Sequence, residues 1–341
     1  MKDKISIIIP SYNSIEYIKE CINSVLNQSF SNLEILCVDA YSTDGTLEFL
    51  LDISKQDFRI KIIMSDIKSL GYQINLGIDN ASGKYLCIVE SDDYISKYMC
   101  EKLYKTIIDN NVDIVKADIV SFKNTIFGKK YYYNNILYID NFYNKVITSD
   151  FREDIIKNSW NMNQSSIFNL DFIKKNKIKA NETLGASYQD FGFWFWICSC
   201  FDKIYFLKEA LYYYRRDNIN SSSNSKEKIY CVCDECDFIE KNIIENNKKL
   251  VNIFYYIKFK IYMWNLYRIK KEHRLEFLNK ILNDFINVEQ GNLVLFNKND
   301  IKNLRQILDN PFKFSQKINS RIDFLRKFYA RCKRKILCKI K

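Results

Sequence analysis

Apolar and polar positions follow two different periods over the first hundred residues. Ile5–Ile9 is a β-branched run that reads as a strand, closed by Pro10. Residues 14–27 then place Ile15, Ile18, Ile22, Val25 and Leu26 at helical spacing. Leu33–Asp39 reads as a second strand, and Thr46–Ser54 as a second helix with Asp44 positioned to cap it. Ile60–Met64 is a third strand, Gln73–Asn80 a short helix and Tyr85–Glu90 a fourth strand. Such alternation predicts an α/β fold: a Rossmann-like, mostly parallel sheet flanked by helices. Ligands of such sheets bind beyond the carboxyl ends of the strands. Those ends carry Pro10, Ser11 and Tyr12, then Asp39, then Glu90, Ser91, Asp92 and Asp93. The polar residues of interest therefore converge on one edge.

Residues 96–220 are less regular, with an expected loop at 158–166. From about 226 the pattern turns helical through to the C-terminus. No internal repeat stands out.

Composition narrows the possibilities. The chain has 341 residues, 47% of them hydrophobic, which excludes a disordered chain and is enough for a substantial core. The net charge is +11, but Lys313–Lys341 alone holds eleven Lys/Arg against one acid, Asp323. The body is thus close to neutral and the tail strongly basic, which suggests a surface anchor rather than a nucleic-acid binder. Within the tail Ile318, Ile322, Leu325, Phe328 or Tyr329, Cys332 and Ile336 recur every three to four residues, as in an amphipathic helix lying on anionic lipid. The bland alternative is a helix packed on the body with a charged solvated face. No aromatic stacking platform accompanies the charge, so nucleic acid is not an expected partner.

Eleven scattered cysteines and no secretory signal point to a reducing cytosol. Cys231, Cys233 and Cys236 lack a matching second pair for zinc. The single histidine, His273, argues against Ser-His-Asp hydrolysis. Neither the G-x-G-x-x-G fingerprint nor the P-loop occurs.

Glu90, Asp92 and Asp93 crowd like charges at the end of an apolar run. Two readings stand side by side: solvated acids that cap the next element, or hard oxygen ligands gathered around a divalent cation.

Together, "SIIIPSYN", "LEILCVDAYSTDGT", "NLGIDNASGKYLCIVESDDYI" and "YQDFGFWF" resemble the bacterial family 2 glycosyltransferases of GT-A fold, over about residues 4–221. The closest likeness is to a cell-surface-polysaccharide branch. The resemblance implies a catalytic domain at 1–222, with a nucleotide-binding half at 1–95 and an acceptor-binding half at 96–222, followed by a helical region at 223–341 that ends in the basic tail 313–341. It implies that Pro10, Ser11 and Tyr12 border the nucleotide base, that Asp39 hydrogen-bonds the base edge and that Asp44 lies beside the nucleoside. Glu90, Ser91 and Asp92 occupy the D-x-D motif, so Asp92 is the implied ligand of Mg²⁺ or Mn²⁺. Glu90 serves the metal or the ribose, and Asp93 orients a loop or the donor sugar. Arg215 or Arg216 is placed to pair with the diphosphate. The implied base is in the Gln189-Asp190 pair; glutamine cannot accept the proton, which leaves Asp190, a residue that also suits a helix cap.

Two departures qualify the match. Ala40 and Tyr41 stand where the family often has Asp-Gly in "VDDGS", and Glu90 replaces the first aspartate of D-x-D. The aromatic run Phe191–Trp196 is expected to be mostly core, with Trp194 as a ring to stack on an acceptor sugar and Trp160–Gln164 as a second acceptor wall. The implied reaction is inverting, metal-dependent transfer from a nucleotide sugar, with UDP as the nucleotide, to a glycan or lipid-linked acceptor of lipopolysaccharide, lipooligosaccharide or capsule. The implied location is the inner face of the cytoplasmic membrane. The competing expectation is a non-catalytic nucleotide-sugar or lipid-surface binding relative, motivated by Ala40 and Glu90.

Overall fold

The structure is a computed structural model that describes residues 2–186, 188–218 and 228–320. Its first unit comprises the described residues of Met1–Asn224 together with Asp234–Asn246. In chain order it contains β1 (Ile5–Ser11), α1 (Ile15–Leu26), β2 (Leu33–Asp39), α2 (Thr46–Ser54), β3 (Ile60–Met64), α3 (Leu70–Asn80), β4 (Tyr85–Ile88), β5 (Tyr94–Ile95) and α4 (Met99–Asn110). These are followed by β6 (Ile114–Thr125), β7 (Gly128–Asn134), β8 (Val146–Thr148), α5 (Arg152–Asn158), β9 (Ser166–Asn169), α6 (Leu170–Lys175), α7 (Gln189–Cys200) and β10 (Lys203–Arg215).

One sheet runs β3-β2-β1-β4-β9-β6-β10-β5, with β7 paired to β6 and β8 to β10. The strands β3, β2, β1 and β4 are mutually parallel. Both β1 and β2 are buried at every position, which is why they read as unbroken apolar runs. Strand order reverses between β2 and β4, on either side of β1, and a cleft beyond the carboxyl ends opens at such a switch point. Ser11 and Asp39 are paired in register at those ends.

Pro10 does not close β1. It pairs with Val38 and the strand continues to Ser11, because a parallel neighbour tolerates a residue whose missing N–H is not required there. The region beyond 96 is more regular than its pattern suggests. β6 is a twelve-residue strand that was hidden because it buries Lys116 and Asp118, and charged residues break the apolar run. β9 inserts antiparallel to both β4 and β6.

The motif around α3 is explained by packing. A Cβ on Gly71 would fall 1.8 Å from the carbonyl oxygen of Asn181, so only glycine allows that segment to close on the helix. Gln73 donates to the carbonyls of Ser11 (2.8 Å) and Val38 (2.6 Å), tying the helix to both strand ends. Asn75 exchanges two hydrogen bonds with the backbone of Ala180.

The second unit comprises the described residues of Ser225–Cys233 and Asn247–Lys341. The helix α8 (Cys231–Ile239) is shared between the two units, and α9 (Val251–Arg268), α10 (Arg274–Phe285) and α11 (Lys298–Asp309) follow. Phe259, Tyr262, Phe277 and Phe285 form its aromatic core. Asp284 accepts from Tyr262 (2.8 Å) and Lys280 (2.7 Å). A capping box of Asn297 and Asp300 starts α11. Residues 311–320 are helical; the remainder of the basic tail, 321–341, lies outside the described residues. Among the described residues, no helix is long and apolar enough to cross a membrane.

Candidate active site

Strand ends β1 and β2 bring Ser11, Tyr12, Asp39 and the 40–44 turn together. Asp39 is fully buried and accepts three hydrogen bonds: from the Ser42 amide (2.7 Å), the Ser42 hydroxyl (2.7 Å) and the Ser11 hydroxyl (2.7 Å). Most of its acceptor capacity is thus spent on the turn, and about one lone pair is left over. Asp44 accepts from the Thr46 amide (3.0 Å) and hydroxyl (2.6 Å) and from the Ile15 amide (3.1 Å), so one carboxylate pins the starts of α1 and α2. Burial raises its proton affinity, but these hydrogen bonds outweigh burial and hold the carboxyl below its usual range.

Tyr12 and Tyr41 leave adjacent strand ends with exposed rings. Lys68 donates to the Tyr12 hydroxyl (2.7 Å). Tyr41 has φ 56°, a left-handed conformation that is uncommon for a bulky residue. It was not a candidate on sequence grounds, although the signal was present: it occupies the glycine position of the "VDDGS" pattern.

The second cluster follows β4. Asp93 is buried; it accepts from the Tyr212 hydroxyl (2.8 Å) and the Arg215 amide (2.7 Å). That hydroxyl in turn accepts from the Glu90 amide (3.1 Å). Asp93 is therefore an internal anchor that ties the turn after β4 to β10. Arg215 is equally committed. Its Nε donates to the Asp92 carbonyl (2.7 Å), its guanidinium pairs with Glu20 (2.6 Å), and it lies between the rings of Tyr17 and Phe122, each 4.6 Å away. This leaves Arg216, which is exposed beside Trp160 and Tyr214, as the arginine able to meet a phosphate.

Glu90 and Asp92 are half-buried and, among the described residues, short of donors. Gln164 donates to Glu90 (3.1 Å) and Asn218 to Asp92 (2.8 Å). Burial, then the charges of Asp92 and Asp190, push the Glu90 carboxyl up to about 8. Burial also raises Asp92, against the bond from Asn218. Asp190 sits in the first turn of α7 and accepts from the Phe191 amide (3.0 Å). Burial pushes it up to about 6, partly offset by that amide and by Lys116. The fold thus brings Glu90 within electrostatic reach of both Asp92 and Asp190, while Pro10 lies buried within the sheet.

Among the described residues, no group of three or more His, Cys, Asp or Glu side chains could hold a metal by itself. The zinc reading of Cys231, Cys233 and Cys236 therefore gains nothing. Two donor-poor carboxylates still suit Mg²⁺ or Mn²⁺, because such ions take one or two carboxylates and complete their shell with water and substrate phosphate.

Gln189 is buried, and its amide donates to the Thr183 carbonyl (3.1 Å) and to the Gly185 carbonyl (3.0 Å). A glutamate could not donate there, which explains the neutral residue beside Asp190. Glu235 lies against α7 at Gly192, accepts from Asn181 (2.9 Å) and is raised by burial to about 9. Trp194 is not an exposed stacking platform. It is buried, its indole donates to Ser159 (2.8 Å), and the Lys116 ammonium stands 3.5 Å from its ring. Lys116 is also fully buried and donates to the carbonyls of Trp160 and Met162; burial lowers its proton affinity to about 7. Nothing in a lone lysine within a mixed stretch announces that role.

The family model described as glycosyl transferase family 2 matches residues 6–169. Glycosyltransferase GlyG of Streptococcus pneumoniae is 30% identical over 63% of this chain and 72% of its own length. Glycosyltransferase GlyA of the same organism is 35% identical over 41% of this chain, which spans only 22% of GlyA. The fold is matched by S. aureus TarS 1–349 in complex with UDP-GlcNAc, at a TM-score of 0.72 and 18% identity over 93% of this chain and 92% of that one. With an α/β sheet of this order and a relative covered over most of its length, the chain belongs to the bacterial family 2 glycosyltransferases of GT-A fold.

Proposed function

We propose that the protein transfers a sugar from a nucleotide-sugar donor to a hydroxyl of a glycan or lipid-linked acceptor, with inversion at the anomeric carbon. The observation that carries this reading is the placement of Glu90 within electrostatic reach of both Asp92 and Asp190, three carboxylates that accept few hydrogen bonds among the described residues. The UDP-GlcNAc held by the TarS neighbour makes UDP-sugars the first donors to test.

In this reading the exposed rings of Tyr12 and Tyr41 flank the base, and the remaining acceptor position of Asp39 meets its edge. Asp92, with Glu90 beside it, holds Mg²⁺ or Mn²⁺. When bound, the cation neutralises charge that develops on the departing nucleoside diphosphate. Arg216 adds a guanidinium on the same side. Asp190 accepts the acceptor hydroxyl proton as that oxygen bonds to the anomeric carbon and the carbon–phosphate-oxygen bond breaks. One attack by one activated hydroxyl inverts the centre. A carboxyl poised near 6 is ionised at neutral pH yet basic enough for the task.

The acceptor class, a surface polysaccharide, lipopolysaccharide, lipooligosaccharide or capsule precursor, belongs to the same proposal, as does a station on the inner face of the cytoplasmic membrane through the tail 313–341. The test is release of nucleoside diphosphate from a panel of UDP-, GDP- and dTDP-sugars with Mn²⁺, with and without chelator. Turnover that is lost on chelation and in Asp190→Asn supports the assignment. A well-folded protein that binds donor but never turns it over overturns it in favour of a non-catalytic binding relative.

A further inference from the structure

The β6–β7 hairpin has a tip that turn chemistry does not account for. Thr125 and Gly128 are its last pair, so Ile126 and Phe127 form the loop. Gly128 has φ +101° and its Cβ would meet nothing within 4 Å, so glycine is there for the left-handed conformation alone. The Thr125 hydroxyl donates to the Gly128 carbonyl (2.7 Å) and completes the turn. Tips of this kind usually carry Asn, Asp, Ser or Gly. Here the two positions are Ile and Phe, exposed by 92% and 94%. They contribute nothing to the core.

The hairpin's charge is one-signed. Residues 119–139 contain Lys123, Lys129 and Lys130 and no acid. Lys129 folds back onto Glu20. Lys123 and Lys130 stand directly opposite one another, on one face of the ribbon with Tyr132 two pairs further back. Like charges paired across strands repel, and a bound anion removes that cost. Lysines on an edge strand also discourage edge-to-edge pairing, which accounts for Lys129 and Lys130 on β7. That explanation does not reach Ile126 and Phe127.

We propose that this hairpin seats the protein on an anionic lipid surface: Ile126 and Phe127 enter the interfacial layer, and Lys123 and Lys130 meet lipid phosphates around them. An apolar point with a collar of lysine and tyrosine matches the depth profile of a bilayer interface, where aromatic rings and ammonium groups sit at the headgroups and aliphatic groups lie deeper. A soluble polyanion would engage the lysines but leave the apolar tip without a purpose. The inference concerns a surface separate from the acid cluster and does not depend on the transfer chemistry.

The test places a reporter at the tip of the full chain. The emission of Phe127→Trp is compared with that of the parent, which has four tryptophans. Expected is a blue shift with vesicles of mixed phosphatidylcholine and phosphatidylglycerol, together with quenching by brominated lipid beyond that of the parent. Lys123→Glu/Lys130→Glu is expected to weaken vesicle partition about tenfold or more, given the attraction each basic residue contributes near such a surface. The basic tail contributes to partition in every variant, so tip emission is the deciding signal. Emission unchanged at lipid concentrations where the protein sediments with vesicles overturns the proposal. So does a concentration-dependent shift without lipid, which assigns the tip to a second copy of the chain. The tip residues pack on nothing, so thermal unfolding of these variants should match the parent.

Discussion

The two ends of the cleft treat their carboxylates in opposite ways. At β1 and β2, Asp39 and Asp44 receive three hydrogen bonds each from their own surroundings. After β4 and at α7, Glu90, Asp92 and Asp190 each receive one from the groups described, and burial raises the proton affinity of all three. A carboxylate saturated by local donors holds a turn together. One kept half-buried and short of donors is costly to the folded protein and is available to a ligand or a proton. Asp93 marks the boundary: burial raises its proton affinity as it does for the second class, yet it accepts two hydrogen bonds from Tyr212 and Arg215.

The contrast can be broken most directly at Asp190. Asp190→Asn should lower turnover by about a thousandfold, within the range for a lost general base, measured by nucleoside diphosphate release. The same variant should be no less stable. Burial lifts the folded carboxyl to about 6, so its charged form opposes folding; that stability is present at low pH and is lost as pH rises through about 6. Removing the charge should therefore keep or raise the unfolding midpoint at neutral pH. Asp92→Asn should act similarly on turnover, and should raise the Mn²⁺ concentration needed for half-maximal activity.

The opposite class should respond in stability. Asp39→Ala strands the Ser11 and Ser42 hydroxyls and the Ser42 amide in a buried turn, at a cost of about 2–3 kcal/mol by denaturant unfolding. Asp44→Ala frays the starts of α1 and α2 and should cost about 1 kcal/mol. If Asp39→Ala left stability intact and only abolished donor binding, the division between structural and available carboxylates would fail.

Smaller effects sharpen the picture. Activity should rise with pH through an acid limb near 6, because Asp190 must be ionised to accept a proton. Lys116→Met should move that limb upward, since the ammonium lowers the proton affinity of Asp190, and should raise the acceptor KM by releasing the Trp160–Met162 carbonyls. An unmoved limb would restrict Lys116 to packing.

Much of the first half was legible. β2, α2 and β3 have the bounds their patterns predict, and the polar strand ends do meet at one edge. Strands buried on both faces leave continuous apolar runs, and each run stops where the chain reaches the cleft, so local pattern carries that information. β6 was not legible because its buried lysine and aspartate imitate a surface segment. Nor could the aromatic density of α7 tell that Trp194 is sealed beneath Lys116.

What the amino-acid order determined by itself was the alternation of strands and helices and the inventory of acids at the strand ends. What tertiary structure alone decided was the state of each acid. The Arg215 side chain reaches Asp92 from 123 positions away, the Tyr212 hydroxyl reaches Asp93 from 119, and Gln164 reaches Glu90 from 74. Burial and hydrogen-bond saturation are set by such distant partners, and they separate a carboxylate that holds a turn from one left to do chemistry.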